Sequence, residues 1–120
     1  MPQSGGVVKL FEIKKRIEIS AAHKLKLSYE SKCAGLHGHN WVVDIYLKSE
    51  TLNTDGMIMD FDRIRDKLME KLDHKVLNDV LDFNPTAELL AKYICDFFAP
   101  FCYRVEVQEC ADNTASYYKQ

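Results

Sequence analysis

Hydrophobic and polar residues alternate along two long stretches in the first half of the chain. Residues 7–22 are largely period-two, with Ile17 and Ile19 on one face and charged side chains opposite. Residues 39–48 alternate in the same way. Because successive side chains of a strand point to opposite faces, both segments are predicted to be strands with one apolar face. A mostly polar loop at residues 24–36 joins them.

Two later segments carry apolar residues at helical spacing instead. The first, "DFDRIRDKLMEKL", predicts a helix that Asp60 or Asp62 caps. The second, "NPTAELLAKYICDFFAP", predicts a helix with Asn84 as its cap, Pro85 at the first helical position and Pro100 beyond its end. The positions expected to be buried are Phe61, Ile64, Leu68 and Leu72 in the first helix and Ala87, Leu90, Ile94, Phe97 and Phe98 in the second.

Hydrophobic and polar residues alternate again near the end of the chain. "CYRVEVQEC" predicts a third strand and "TASYYK" a short fourth. The predicted order is therefore β-β-α-α-β-β. Paired strands with grouped helices indicate an α+β fold, with an antiparallel four-stranded sheet and both helices on one face. We expect a single domain over residues 7–120, preceded by a disordered tail at residues 1–6.

Composition narrows the possible functions only moderately. A chain of 120 residues with 47% hydrophobic residues and a formal net charge of −2 indicates one globular domain without the basic excess that nucleic-acid binding requires. No segment approaches the ~20 apolar residues of a membrane span, and the first residues do not resemble a signal peptide. We therefore expect a cytoplasmic protein with no nucleic-acid or membrane partner. In that compartment the four cysteines are expected to be free thiols.

The stretch "CAGLHGHNW" carries the strongest indication of chemistry. His37 and His39 lie two residues apart on a strand and can direct both rings at one ion. His23 ends the preceding strand on the apolar face, so a hairpin can bring it beside them. Three imidazoles with an open fourth position are typical of a catalytic zinc site, whereas Cys33 as a fourth ligand would close a structural one. The residues alone leave both kinds of zinc site open. They also leave open a third interpretation without a metal, in which His23 is an ordinary partly buried histidine and His37 merely borders a turn.

Further polar residues are candidates for proton transfer and ligand binding. Asp73 beside His74 can orient the imidazole and raise its basicity, although such a pair is more often simply solvated. Glu109 shares the parity of apolar positions in the third strand and can meet a ring that offers two N–H donors, unless it is an exposed strand end. Lys24 belongs to a group of loop lysines that can receive phosphates.

These pieces, taken in order, resemble the family of 6-pyruvoyl-tetrahydropterin synthases and 6-carboxytetrahydropterin synthases. The matching motifs run over nearly the whole chain, and they are "SAAHKL", "CAGLHGHNW", "GMIMDFDRI", "LDHKVLND", "NPTAELLAKYI" and "VEVQE". The short spacing from the cysteine to H-G-H is similar to the bacterial 6-carboxytetrahydropterin synthase branch, which serves queuosine and other deazapurine pathways. The sequence departs from the family at Cys110, where threonine is common.

The resemblance implies a fold and an assembly. The family adopts the tunnelling fold, in which subunits join sheets edge to edge, typically as trimers stacked into hexamers with active sites between subunits. It also implies zinc as the cofactor, with His23, His37 and His39 as its ligands and Cys33 as the general base rather than a permanent ligand. Asp73 and His74 match the family's proton relay, often supplied by a neighbouring subunit.

The implied substrate is 7,8-dihydroneopterin triphosphate. Glu109 matches the carboxylate that anchors the pterin ring, and Thr86 is expected to help hold it. The resemblance implies a lyase-type synthase that releases acetaldehyde and triphosphate and leaves 6-carboxy-5,6,7,8-tetrahydropterin. Two alternatives stay open, namely a 6-pyruvoyl-tetrahydropterin synthase and a non-catalytic zinc-binding module closed by Cys33.

Overall fold

The computed structural model describes residues 9–120, which form five strands and three helices. The predicted tail at residues 1–6 and the first two residues of the first predicted strand lie outside the described residues. The strands are β1 (Phe11–His23), β2 (His37–Ser49), β3 (Lys75–Val76), β4 (Cys102–Cys110) and β5 (Asn113–Tyr118). The helices are α1 (Phe61–Leu72), α2 (Leu77–Val80) and α3 (Ala87–Phe97), and a 3₁₀ turn covers Lys32–Ala34.

One sheet contains all five strands in the order β3-β1-β2-β4-β5. The predicted α+β class is confirmed, but the prediction of four strands is wrong. The additional strand, β3, is two residues long and pairs in parallel with β1 at Ala21 and Ala22. Two residues are too few to produce a visible alternation, and this strand forms only because the end of α1 returns the chain alongside β1.

The long hairpin of β1 and β2 fixes the position of every residue at the site. It is antiparallel without a register shift, from Phe11 opposite Ser49 to His23 opposite His37. Odd-numbered residues of both strands therefore face the same side of the sheet, where Ile19 and Trp41 are fully buried. The helices cover this face and share one core with it. At one end of the same face, the row of buried side chains ends in the histidines.

Helix α1 begins where the sequence predicts. The carboxylate of Asp60 accepts a hydrogen bond from the Asp62 backbone N–H at 2.8 Å, which satisfies a donor that the first turn leaves free. Ile64, Leu68 and Leu72 are fully buried, but Phe61 is 47% exposed. The prediction for Phe61 is wrong because the first helical residue lies beyond the edge of the sheet-facing core.

The start of α3 also differs from the prediction. Thr86, and not Asn84, is the cap, and its hydroxyl accepts from the Leu89 N–H at 3.2 Å. The helix thus begins after Pro85. Phe98 is buried whereas Phe97 is 39% exposed. The remaining buried side chains of α3 are Leu90, Ala91, Ile94 and Cys95.

The opposite face of the sheet carries charged side chains. Asp44 lies on this face but is only 3% exposed, because Arg16 covers it with two hydrogen bonds of 2.9 and 3.0 Å. These hydrogen bonds hold the pKa of Asp44 below its usual value. No helix among residues 9–120 is long and apolar enough to cross a membrane.

Candidate active site

Three histidines converge at one end of the β1–β2 hairpin. His23 and His37 are directly opposed across the strands, and His39 follows two residues later on the same face. One ring nitrogen from each lies within 4.8 Å of the others. His23 is fully buried, while His37 and His39 are partly exposed. The geometry thus forms a three-imidazole cluster that can hold a metal ion and is open on one side.

Backbone carbonyls fix how two of these rings are oriented. His23 Nδ1 lies 2.8 Å from the Pro85 carbonyl oxygen, and His37 Nδ1 lies 2.7 Å from that of Gly35. A carbonyl oxygen can only accept, so we assign the proton to Nδ1 in both rings. Both Nε2 atoms then carry lone pairs, as metal ligands must. Such carbonyl partners are the usual outer support of metal-bound histidines.

The Nε2 atoms fit a bound cation. In the neutral rings assigned above, the Nε2 atoms of His23 and His37 lie 3.1 Å apart with no proton between them. Nε2 of His39 is buried and has no hydrogen-bond partner among the described residues. Two opposed lone pairs and one orphaned buried nitrogen are unfavourable by themselves. A cation bound by all three nitrogens would satisfy them together.

Burial favours the neutral form of His23. Desolvation lowers the pKa of His23. The hydrogen bond to Pro85 raises this pKa, and the neighbouring His37 lowers it. A neutral imidazole is the form that binds metal. His23 is therefore prepared for coordination by its place at the end of the core.

Glu109 lies beside the cluster at the end of β4. Its Oε2 atom is 3.6 Å from His23 Nε2 and 3.8 Å from His39 Nε2. Glu109 and Thr86 line the same cleft, together with Leu25 and residues of the β4–β5 turn. The structure thus brings the two predicted pterin-binding residues together next to the histidines. The Thr86 hydroxyl already accepts from the backbone of α3, but its own proton remains available.

Cys33 lies apart from the three-histidine cluster. It is exposed, occupies the 3₁₀ turn, and donates its backbone N–H to the Ser31 hydroxyl at 3.1 Å. The residues that can hold a metal do not include its thiol. This placement disfavours the closed site with Cys33 as fourth ligand, and it leaves the thiol accessible to a bound molecule.

Asp73 and His74 contact each other, which adjacency in sequence did not ensure. Oδ2 of Asp73 lies 2.7 Å from His74 Nδ1, and Oδ1 accepts from the Ser20 N–H at 2.9 Å. Burial opposes ionisation of Asp73, but these hydrogen bonds hold its pKa below the usual value. The His74 backbone adopts φ 57° and donates to the Ser20 carbonyl at 2.7 Å. Its anchorage to β1 maintains this left-handed conformation.

The side chain of His74 is 82% exposed. The cleft beside it is lined by Ser20, Gly38 and Asn40 and also by His39 of the cluster. Within residues 9–120 no hydrogen bond joins His74 to Cys33. A single chain therefore holds the Asp73–His74 pair and the thiol as two separate groups.

The carbonyls of Gly35 and Pro85 are the parts of the site that sequence reasoning missed. Main-chain oxygens have no residue-type signature, and their roles depend on where the loops fold. The only hint is that Gly35 and Pro85 lie in two of the motifs that resemble the family, "CAGLHGHNW" and "NPTAELLAKYI".

Comparisons with known proteins agree with this fold and site. The family model for 6-pyruvoyl tetrahydropterin synthase matches residues 12–120, and the chain belongs to this family. A solved structure of the Caenorhabditis elegans 6-pyruvoyl tetrahydropterin synthase superposes with a TM-score of 0.72, at 25% identity, over 94% of this chain and 98% of that one. The predicted tunnelling fold and the predicted family are both confirmed.

Relatives carry two different names. A 6-carboxy-5,6,7,8-tetrahydropterin synthase from Synechocystis is 36% identical over 88% of this chain and 92% of its own length. The Bacillus subtilis protein of that name is 33% identical over 72% of this chain, which spans 64% of the relative. A 6-pyruvoyl tetrahydrobiopterin synthase from Dictyostelium discoideum is 34% identical, over 86% of this chain and 92% of the relative. These names agree with the prediction of a pterin synthase of the lyase type.

Proposed function

We propose that this protein is a zinc-dependent synthase that converts 7,8-dihydroneopterin triphosphate and one water to 6-carboxy-5,6,7,8-tetrahydropterin, acetaldehyde and triphosphate. The observation that carries the proposal is the convergence of three imidazoles beside a carboxylate, with a free thiol outside the ligand set. The relatives named for this reaction support the choice of product. Formation of a deazapurine precursor such as that of queuosine, in the cytoplasm, is part of the same proposal.

Zinc is the metal that this donor set suits best. Three neutral imidazoles with an open position are typical of catalytic zinc, and they lack the carboxylate oxygens that magnesium or calcium prefers. His23, His37 and His39 would hold the ion. When bound, zinc would act as a Lewis acid toward the hydroxyls of the substrate side chain and lower their pKa.

The remaining residues bind the substrate and move protons. Glu109 accepts hydrogen bonds from the pterin ring, and Thr86, in the same cleft, supports the ring. Cys33 acts as the base that removes a proton from a hydroxyl-bearing carbon of the substrate side chain. Lys24, exposed at the end of β1, is proposed to meet the triphosphate.

The proton relay suggests an assembly. Asp73 and His74 are hydrogen-bonded to each other, but no hydrogen bond joins His74 to Cys33 among the described residues. A neighbouring subunit can present its own pair to Cys33. The sheet also ends in β3 on one side and β5 on the other, and edge-to-edge pairing with further copies would cover these strands. We therefore include a homo-oligomer, a hexamer built as a dimer of trimers, in the proposal.

The Cys33→Ala variant is the decisive experiment. The expected result is unchanged zinc content and folding, with turnover reduced by about 10²-fold or more. Loss of zinc and unfolding would instead support a non-catalytic module closed by the thiolate. Cys110→Ala is the matched control, because Cys110 is also an exposed free thiol.

The pyruvoyl product is the second candidate, favoured by the name of the Dictyostelium relative. Mass spectrometry of the wild-type reaction separates the two outcomes. A carboxypterin with acetaldehyde supports the proposal, whereas a pyruvoyl pterin supports the alternative.

A further inference from the structure

The segment that follows His23 is held by an asparagine side chain from a distant part of the chain. The Lys24 N–H donates to Asn78 Oδ1 at 2.9 Å, and Asn78 Nδ2 donates to the Lys24 carbonyl oxygen at 2.9 Å. Asn78 belongs to α2, 54 residues further along the chain. Its carboxamide thus pairs with one residue's backbone in the way that a neighbouring strand would.

A second asparagine repeats this contact two residues later. The Lys26 N–H donates to Asn84 Oδ1 at 2.8 Å, and Asn84 Nδ2 donates to the Lys26 carbonyl oxygen at 3.0 Å. Asn84 immediately precedes Pro85, whose carbonyl orients His23. This use of the Asn84 side chain explains why it is not the cap of α3.

The residue between the two lysines bonds in the opposite direction. The Leu25 N–H donates to the Cys33 carbonyl oxygen at 3.3 Å. Alternate backbone groups of an extended chain point to opposite sides. Lys24 and Lys26 therefore face the two asparagines, while Leu25 faces the turn that carries the thiol. This hydrogen bond joins the turn to the short extended segment, while the other end of the turn continues through Gly35 into β2.

The geometry points to Asn78 and Asn84 as positioning residues that set Cys33 relative to the metal centre. This inference rests on the proposed role of Cys33 as the base. A carboxamide is suited to the task because it offers one acceptor and one donor in the spacing of a peptide group. Alanine offers neither, and aspartate offers only acceptors. Without the side chains of Asn78 and Asn84, the 24–26 segment and the turn bonded to it can shift. The three histidines remain on their strands.

The test uses Asn78→Ala, Asn84→Ala and the double variant in the full-length, zinc-loaded protein. A shift of about 1 Å at a reacting group can reduce turnover by about 10²-fold. We expect kcat to fall by about 10- to 100-fold in the double variant, with less change in KM and unchanged zinc content. Asn78→Asp and Asn84→Asp are expected to reduce kcat at least as much as the alanine variants, because the second carboxylate oxygen would replace the donor that faces the Lys24 or Lys26 carbonyl oxygen.

Backbone amide hydrogen exchange gives a readout that does not depend on turnover. The Leu25 amide is expected to exchange slowly in the wild type and at least about 10-fold faster in the double variant. Asn53→Ala is the matched control, since its carboxamide also accepts two backbone N–H groups in a loop. That loop follows Ser49, at the far end of the hairpin from His37.

The outcomes separate the two proposals. If the Leu25 amide exchanges faster in the double variant but kcat stays at the wild-type value, the positioning role is wrong. It is also wrong if the exchange rate of the Leu25 amide does not change. Zinc loss in the variants would also overturn it, because the asparagines would then support the metal centre itself. If the wild type has no pterin synthase activity, the proposed function fails, while Leu25 exchange still tests whether the asparagines hold the turn. If the double variant does not fold, the single variants are measured in the same way.

Discussion

His23 and His37 are direct cross-strand partners whose Nε2 atoms lie 3.1 Å apart, each with its Nδ1 on a backbone carbonyl. The hairpin register sets the pairing, and the two carbonyls set which nitrogen is free. The three-histidine cluster is therefore a property of strand register as much as of residue type. A shift of one residue would turn one histidine to the other face.

Removal of one ligand should abolish metal binding without unfolding the protein. We expect His37→Ala to lose more than nine-tenths of its bound zinc, because a partly exposed ring can be removed while the core stays intact. Metal analysis of the purified protein measures this. His74→Ala is the control, as the one histidine outside the cluster, and it should keep its full zinc content. Equal zinc in both variants would contradict the assigned ligand set.

Chelation should lower the thermal stability of the wild type. A ligand that binds only the folded state at about 100 times its Kd adds about 2.7 kcal/mol to the free energy of unfolding. For a chain of this size that corresponds to a Tm change on the order of 5–10 °C. Thermal denaturation with zinc and with excess chelator measures the difference. His37→Ala should show no such difference, and a chelator effect of equal size in that variant would argue against this site.

The ion pair on the open face of the sheet should make stability depend on pH. Arg16 holds the pKa of Asp44 below its unfolded value, so the contribution is complete above about pH 4 and is lost as the pH falls through the folded-state pKa. Asp44→Asn should flatten the acid side of the stability profile. Denaturant unfolding between pH 2 and 7 measures this, and an unchanged acid limb in the variant would contradict the assignment.

Removing the partner of Asp44 should cost more than removing an ordinary surface charge. Arg16→Met leaves a carboxylate that is 3% exposed with only Lys14, at 3.7 Å, as a charged partner. We expect the free energy of unfolding at pH 7 to fall by more than the loss of an exposed surface pair would cause. Arg65→Met is the control, since its partner Asp66 is solvent-exposed, and it should change stability by less than about 0.5 kcal/mol.

Thr86 should contribute to stability as well as to binding. Thr86→Ala removes the cap of α3 and should lower the free energy of unfolding by about 1 kcal/mol, whereas Thr86→Ser should retain most of it. Thr54→Ala, in an exposed loop, is the control. Chemical denaturation measures the stability, and KM for the pterin tests the binding role. Unchanged stability in Thr86→Ala would show that the cap is misassigned.

The sequence by itself determined the four longer strands, the two longer helices and the face on which three histidines meet. Alternation with period two is a local property, so the parity of His23, His37 and His39 follows from the chain alone. The same holds for the buried side of α1, where Ile64 and Leu68 lie at helical spacing. Family motifs added the expected roles of Cys33 and Glu109, which local patterns leave open.

Only the tertiary structure decided the contacts that depend on how distant segments meet. β3 exists because α1 returns the chain beside β1, and a two-residue strand has no periodic signal. Asn84 is a side-chain partner of Lys26 and not a helix cap, since the competing backbone groups come from 58 residues away. The carbonyl of Pro85, which orients His23, is likewise invisible in a residue-type pattern. Local periodicity fixes which face a side chain occupies, whereas its hydrogen-bond partner is fixed by packing between elements.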